Sequence, residues 1–158
     1  MKLYLKQKVF SLKDQFYITD SRENIQYSVQ GEIFSMGKRL HIYDSKSNEI
    51  GLLKQKLWSF LPRFEVFIDG EKIAEVNRKL SFVPKYSVDG PKWNVIGDFW
   101  AHNYEISQNG ESIVQVRKKI FSWADTYELD IKEPKDEILA LCVVLAIDAD
   151  IETHSHSN

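Results

Sequence analysis

The stretch that decides the fold is Ile138-Leu139-Ala140-Leu141-Cys142-Val143-Val144-Leu145-Ala146-Ile147, ten apolar residues with no polar interruption. Pro134 stands just before it, and Asp136 and Glu137 fall in what would be the first turn of a helix. These are helix-start signals, because proline fixes a helical φ and carboxylates favour the exposed N–H groups of a helix N-terminus. A helix that is apolar all round has to be buried all round. We therefore predict a buried central helix over about residues 135–148.

This helix should lie inside protein and not inside lipid. Ten residues rise roughly 15 Å in a helix, far less than a bilayer requires, so no transmembrane segment is expected. We expect its core to consist of the larger side chains and the cysteine, namely Ile138, Leu139, Leu141, Cys142, Val143, Val144, Leu145 and Ile147.

Length and composition indicate a single domain in a reducing compartment. The chain has 158 residues, of which 43% are apolar and 28% charged, as is ordinary for a soluble globular domain. The single cysteine, Cys142, excludes an intrachain disulfide, and its apolar surroundings predict a small buried hydrophobe rather than a reactive thiol. The first eight residues alternate apolar and polar and do not resemble a signal peptide. We expect a cytoplasmic domain over residues 1–150, followed by a flexible polar tail over 151–158.

Before residue 132 the chain alternates apolar and polar residues with a period of two, which is typical of β-strands. The Asp69-Gly70 and Asn109-Gly110 pairs separate such runs and predict tight hairpin turns, since glycine adopts a positive φ without steric cost. Counting the runs gives ten to twelve strands. The strands are part of a sequence repeat, since residues 69–80 align with residues 109–120 at a constant offset. A pattern of one strand, a corner with aromatic residues and a second strand recurs four times.

Strands and helix together favour one architecture. Many antiparallel hairpins leave exposed edges unless the sheet closes, and a barrel of about twelve strands has an interior too wide for wall side chains to fill. An apolar helix along the axis would fill it. We therefore predict a mainly β fold, a closed antiparallel barrel of about twelve strands around the C-terminal helix. The alternative is a two-sheet sandwich with the helix on one face, but a helix in that position should show a polar face.

The chain resembles the LURP-one-related family, which falls within the Tubby C-terminal-like superfamily together with the phospholipid scramblases. The resemblance covers nearly the whole chain. It depends on Arg39-Leu40-His41-Ile42-Tyr43-Asp44, Ile50-Gly51, Gln55-Lys56-Leu57, Gly97-Asp98-Phe99, Tyr104-Glu105-Ile106, Asp125-Thr126-Tyr127-Glu128-Leu129 and the apolar helix that ends in Asp148. It implies a closed barrel around a central helix. It implies a link to phosphoinositides or other lipids in some branches, and it supplies no catalytic motif.

Basic residues recur at one position of the repeat, at the ends of predicted strands. They are Lys54, Lys56, Arg78, Lys79, Arg117, Lys118 and Lys119. Gathered at one rim of a barrel, they would bind phosphate groups such as anionic lipid headgroups. The alternative is that they only solubilise strand edges.

Aromatic residues are numerous at the corners of the repeat, and we predict that they pack against the helix and do not stack on nucleic-acid bases. The set comprises Trp58, Phe60, Trp93, Phe99, Trp100, Phe121 and Trp123. A net charge of −2 further disfavours nucleic acid as a partner.

The acids and histidines near the C-terminus alternate as Asp148, Asp150, Glu152, His154 and His156. Their spacing matches no familiar metal loop, so a polar terminus is favoured over a metal site. A carboxylate at a helix C-terminus opposes the helix dipole, and we expect a Lys or Arg of the barrel rim to offset Asp148. His41 and His102 are expected in strands, half-buried, without a neighbouring nucleophile.

No motif for a nucleophile elbow, a phosphate-binding glycine loop, a zinc site or a cofactor is present. The sequence therefore predicts a non-enzymatic binding or scaffold domain without a cofactor. Its expected partner is an anionic phospholipid at a membrane surface. The alternative is a protein interaction or signalling module that never contacts lipid.

Overall fold

The computed structural model describes residues 1–6, 15–32, 36–119 and 126–155. Within them it has twelve β-strands, a turn of 3₁₀ helix and one α-helix. In chain order these are β1 (Lys2–Lys6), β2 (Gln15–Thr19), β3 (Ile25–Gly31), β4 (Arg39–Asp44), β5 (Glu49–Gln55), β6 (Arg63–Ile68), β7 (Glu71–Lys79), β8 (Lys85–Asp89), β9 (Trp93–Asp98), β10 (Asn103–Gln108), β11 (Glu111–Lys119), β12 (Thr126–Ile131), the 3₁₀ turn (Pro134–Asp136) and α1 (Glu137–Ser155).

The strands form a closed up-and-down barrel. Each strand pairs antiparallel with its neighbours in sequence, and β1 pairs with β12 to complete the ring. This confirms the predicted architecture and rejects the sandwich. The predicted tight turns are present, because Asp69-Gly70 joins β6 to β7 and Asn109-Gly110 joins β10 to β11, all four residues with positive φ.

The helix fills the barrel, as the apolar stretch predicts. Every residue from Ala140 to Ile147 has no exposed surface, and Ile138 and Leu139 pack partly buried against the same core. Cys142 is buried among them, and this burial raises the pKa of its thiol to about 12. The thiol therefore acts as a small hydrophobe at neutral pH. No helix in the described part of the chain combines the length and the apolarity needed to cross a membrane.

The helix begins where the sequence predicts but ends later. It runs to Ser155, so the prediction that it stops near residue 148 is wrong, as is that of a flexible tail for residues 151–155. Ile151 packs against the core, and the Thr153 hydroxyl donates a hydrogen bond to the Ala149 carbonyl over 2.9 Å. These contacts continue the helix beyond the apolar stretch. Residues 156–158 lie outside the described part of the chain.

The end of the barrel where α1 emerges carries the described parts of the loops that follow β3, β5, β7 and β9. The ammonium of Lys38, just before β4, donates to the Ala149 carbonyl over 3.0 Å, and Tyr86 at the start of β8 donates to Asp150. We call this end the helix-exit rim, defined by residues 36–38, 56–62, 80–84 and 99–102 and the strand ends beside them. The opposite rim carries the tight turns and the start of the helix, where Tyr27 donates to Glu137 over 2.6 Å.

Candidate functional site at the helix-exit rim

The predicted anion-binding residues lie at the ends of three strands that reach the helix-exit rim. Lys54 and Lys56 are at the end of β5, Arg78 and Lys79 end β7, and Arg117, Lys118 and Lys119 end β11. β5 and β7 flank β6, whereas β8, β9 and β10 separate β7 from β11. The structure thus brings these residues to one rim but divides them into two groups.

Lys119 of the β11 group pairs with a carboxylate of β12. Glu128 is buried, and it accepts hydrogen bonds from Lys119 (2.9 Å), Lys2 (3.1 Å) and Tyr4 (2.8 Å). Burial raises the pKa of Glu128, but the hydrogen bonds from Lys119, Tyr4 and Lys2 outweigh it and lower the pKa to about 2. Glu128 therefore stays ionised and holds the seam where β12 meets β1 and β11.

The carboxylate of Glu75, in β7, is surrounded by cations from neighbouring strands. Its oxygens lie 3.5 Å from the Lys56 ammonium, 3.8 Å from the Arg63 guanidinium and 3.2 Å from the Lys72 ammonium. The Lys54 ammonium lies 5.3 Å from the centre of the Phe67 ring, a cation–π contact. Lys72 also pairs with the Glu65 carboxylate over 2.8 Å, and the charges of Lys54 and Lys56 act on Glu65 as well. Two carboxylates among these four cations leave a surplus of positive charge on this part of the wall.

Lys79 and Lys85 are two neighbouring cations at the described part of the rim. They lie directly opposite each other in the β7–β8 ladder, and both are exposed. Among the described residues neither has a carboxylate within ion-pair distance. Like charges directly opposite in a sheet destabilise the pairing, so this position would gain from a bound anion.

A cavity of about 260 Å³ opens beside this pair. Lys79, Arg78 and Arg63 supply its cations and Asp89 its acid. Asp89 is hydrogen-bonded by the Asn77 amide over 2.9 Å. Apolar walls come from two loops, through Phe60 and Leu61 on one side and Leu80 on the other. The cavity thus combines three positive side chains with an apolar border.

Several corner aromatics do not pack on the helix, contrary to the prediction. Trp58 is 97% exposed, Phe60 94% and Trp100 57%. They lie in loops that extend beyond the strand ends, whereas the interior of the barrel is already filled by α1. Trp58 has a positive φ of 64°, which a tryptophan adopts only in a tight turn.

Two other corner aromatics are buried as predicted. Trp93 is buried in β9. Phe99 packs edge-on against Tyr86 and tilted against Tyr104, each with a ring-centre distance of 4.9 Å. The predictions for Phe121 and Trp123 fall outside the described residues.

Asp148 is buried near the end of the barrel where α1 emerges. The prediction that a Lys or Arg of the barrel rim offsets its charge is wrong. In the described part of the chain the group within ion-pair distance is the imidazole of His102, with Nδ1 3.7 Å from Oδ1. Burial and then the charge of Glu152 raise the pKa of Asp148 well above its usual range. Asp148 is therefore a neutral acid at the pH values where exposed aspartates are ionised. His102 lies in the turn before β10 and not in a strand, and its ring stacks on Tyr127 at 4.7 Å.

The barrel cations bind the neighbouring helix residues instead. Asp150 is buried, accepts a hydrogen bond from Tyr86, and lies 3.7 Å from the Arg78 guanidinium. Lys38 also pairs with Glu152 over 3.4 Å. These cations face the negative end of the helix dipole, which they stabilise. Within the described residues no set of three or more His, Cys, Asp or Glu side chains is placed to hold a metal ion.

His41 lies half-buried in β4, on the barrel wall. Its Nδ1 contacts Glu49, and its Nε2 lies 3.2 Å from Glu32. Burial lowers the pKa of His41, but the two carboxylates outweigh it and raise the pKa. The group is an ion-pair cluster of the sheet surface, without a neighbouring nucleophile in the described residues.

Sequence reasoning missed Arg63 and Lys85. Each is the first residue of the strand that follows an apolar loop, whereas the prediction considered only the strand that precedes the loop. The missed signal is the Pro62-Arg63 and Pro84-Lys85 pairs, which place a cation at the start of β6 and of β8.

Comparisons with known proteins agree with this architecture. The family model described as LURP-one-related matches residues 1–148. An uncharacterized protein of Bacillus subtilis (strain 168), YxjI, is 35% identical over 149 residues, which cover 94% of this chain and 92% of that protein. A crystal structure of an Arabidopsis thaliana protein superposes with a TM-score of 0.67 at 17% identity, covering 93% of this chain and 89% of the other. At that identity the likeness concerns the fold alone.

Proposed function

The chain belongs to the LURP-one-related family, and from that premise we propose that it is a non-enzymatic domain that binds the phosphate groups of anionic phospholipid headgroups at a membrane surface. The binding site is the helix-exit rim between β6 and β8. The observation that carries the proposal is the pair Lys79 and Lys85, which lie opposite each other in the sheet. Lys79 also lines a cavity together with Arg63 and Arg78.

The cations support a phosphate group as the ligand. A phosphate placed between the two lysines would relieve their repulsion and replace it with two charge-assisted hydrogen bonds. Arg63 contacts Glu75 at 3.8 Å through Nη1, and a guanidinium has five donors in all. A cavity of about 260 Å³ is smaller than the pockets that enclose drug-sized molecules. The cavity is therefore suited to a single phosphate group at a membrane surface and not to a whole enclosed ligand.

The buried acids support a binding role over a catalytic one. Asp148 is 4% exposed and Asp150 2%, and Tyr86 and Arg78 already contact Asp150. A catalytic acid has to reach its substrate, and these carboxyl groups are enclosed between the helix and the wall. The contacts of Asp150 with Tyr86 and Arg78 stabilise the end of α1.

Vesicle sedimentation tests the proposal. We expect binding to mixed phosphatidylcholine and phosphatidylserine vesicles at low salt, no binding to pure phosphatidylcholine, and loss of binding as salt screens the charges. Lysines near an anionic surface contribute about 1 kcal/mol each, so Lys79→Gln with Lys85→Gln should weaken binding roughly thirtyfold. Equal binding to neutral and anionic vesicles at low salt contradicts the proposal. Binding to neither also contradicts it and favours the alternative of a protein partner.

The matched control removes the same charge at the opposite rim. Lys46 lies in the turn between β4 and β5, Lys132 follows β12, and both are exposed. The double variant Lys46→Gln with Lys132→Gln should bind as the wild type does. An equal loss of vesicle binding in both double variants would mean that binding depends on the net charge of the protein and not on the helix-exit rim.

A further inference from the structure

Two neighbouring loops of the helix-exit rim expose apolar side chains to an unusual degree. Among the described residues, every large apolar side chain more than four-fifths exposed lies in these loops: Trp58 and Phe60 between β5 and β6, Leu80 and Phe82 between β7 and β8. Single exposed apolar residues need no explanation, but a cluster of them marks an interaction surface. We call these four residues the apolar loop tips.

The two loops repeat one short sequence. Trp58-Ser59-Phe60-Leu61-Pro62-Arg63 aligns with Leu80-Ser81-Phe82-Val83-Pro84-Lys85, so an apolar residue, Ser, Phe, an apolar residue, Pro and a cation follow in the same order. In the first loop the Ser59 hydroxyl donates to the Leu61 carbonyl over 2.7 Å, which fixes the turn. The strands that follow, β6 and β8, flank β7, so the repeat places two similar tips side by side.

Each tip has cations immediately beside it. Lys56 precedes Trp58 by two residues, and Lys79 directly precedes Leu80. Each loop ends in a proline, and a cation follows that proline. The loops themselves, residues 57–62 and 80–84, contain no charged residue. Apolar ends with cations behind them match the layers of an anionic bilayer, where the apolar part enters the acyl boundary and Lys or Arg stay among the headgroups.

The lysines beside the tips favour a membrane over a protein partner. Lysine is depleted at protein–protein interfaces, whereas Lys79 and Lys85 lie next to the tips. Tryptophan is enriched where membrane meets water, because its ring is apolar and its N–H is polar. Trp58 is the most exposed tryptophan among the described residues.

We infer that the apolar loop tips insert into the interfacial region of an anionic bilayer, so that the protein docks with the β5–β8 edge of the helix-exit rim toward the membrane. This inference rests on the proposed headgroup binding and adds that apolar insertion, as well as charge, contributes to it. Headgroup binding brings Lys79, Lys85 and Arg63 to the phosphates, and the tips then pass below them.

Fluorescence quenching by brominated lipids tests insertion directly. With vesicles of phosphatidylcholine and phosphatidylserine that carry bromine on the acyl chains, we expect the wild-type tryptophan emission to be quenched. The Trp58→Phe variant should lose most of that quenching while still binding. Unchanged quenching in Trp58→Phe, or none in the wild type although it binds, overturns the inference.

Two polar substitutions measure how much the apolar loop tips contribute to the free energy of vesicle binding. Phe60→Ser with Phe82→Ser should weaken vesicle binding by at least roughly tenfold, with an unchanged thermal midpoint because both side chains are exposed. The control Ile25→Ser with Ile96→Ser changes two partly exposed side chains of the barrel wall and should bind like the wild type.

The outcomes separate this inference from the proposed function. If Phe60→Ser with Phe82→Ser binds as tightly as the wild type while Lys79→Gln with Lys85→Gln does not, insertion is refuted and headgroup binding stands. If quenching occurs equally with neutral vesicles, insertion stands and the headgroup proposal is refuted. Absence of all vesicle binding in the wild type overturns both.

Discussion

Replacing Glu128 by Gln should destabilise the barrel at neutral pH and have no effect in strong acid. Glu128 is bonded to Lys119, Lys2 and Tyr4 across the seam that closes the ring. These bonds hold its pKa at about 2, against 4.5 for an unperturbed glutamate. Such a shift corresponds to about 3 kcal/mol of folding free energy at neutral pH. Lys2 and Lys119 are about half exposed, and solvent screening reduces the expected loss to about 2 kcal/mol.

The sign of the pH dependence follows from the lowered pKa. The stabilisation is fully present above the unfolded pKa of about 4.5 and is lost as the pH falls toward the folded pKa of about 2. The assay is urea unfolding of the wild type and Glu128→Gln at about pH 7, 5 and 3. The difference between the two proteins should be nearly the same at pH 7 and pH 5 and clearly smaller at pH 3. A difference that stays constant, or grows in acid, would refute the reasoning that the ionised carboxylate holds the seam.

Three further substitutions or treatments probe the interior. Cys142 should resist thiol reagents in the folded protein at mildly alkaline pH and react only after unfolding, because burial raises the pKa of its thiol to about 12. Rapid labelling of Cys142 in the folded protein would contradict this. Gly97→Ala should lower the free energy of unfolding, measured in urea, by roughly 2 kcal/mol or more, because a Cβ there would lie 2.5 Å from the backbone of Tyr104. The control Gly110→Ala has open space around its Cβ and should cost only about 1 kcal/mol. Asp148→Asn should raise the thermal midpoint more at about pH 7 than at about pH 4, because the raised pKa of Asp148 favours the unfolded state as the pH rises above its unfolded value. A loss of stability that is larger at the higher pH would mean instead that Asp148 is ionised and paired with His102.

The fold was predictable because its main signals are local. An apolar run without a polar face has to be enclosed, and alternating strands with Asp69-Gly70 and Asn109-Gly110 turns have to close around it. Where the helix ends was not predictable, because Asp150 and Glu152 resemble a polar tail in sequence. Their partners Tyr86 and Lys38 are more than sixty residues away in the chain and meet them only in the closed barrel.

The candidate site was predictable only in part, for the same reason. A buried and an exposed aromatic corner have the same pattern in sequence, so Phe99 and Trp58 could not be distinguished before the helix was seen to fill the interior. The rim lysines were correctly placed at strand ends, but which of them are neutralised depends on strand pairing. Lys119 meets Glu128 across the β11–β12 pair, whereas Lys79 meets Lys85 across β7–β8.

Amide hydrogen exchange with and without anionic vesicles tests most directly that the helix-exit rim is the membrane-facing end. The vesicles should slow exchange in residues 56–62 and 80–84 and leave the turns at Asp69-Gly70 and Asn109-Gly110 unchanged, since those turns lie at the opposite rim. Protection of the opposite turns, or equal protection all round the barrel, would contradict the account.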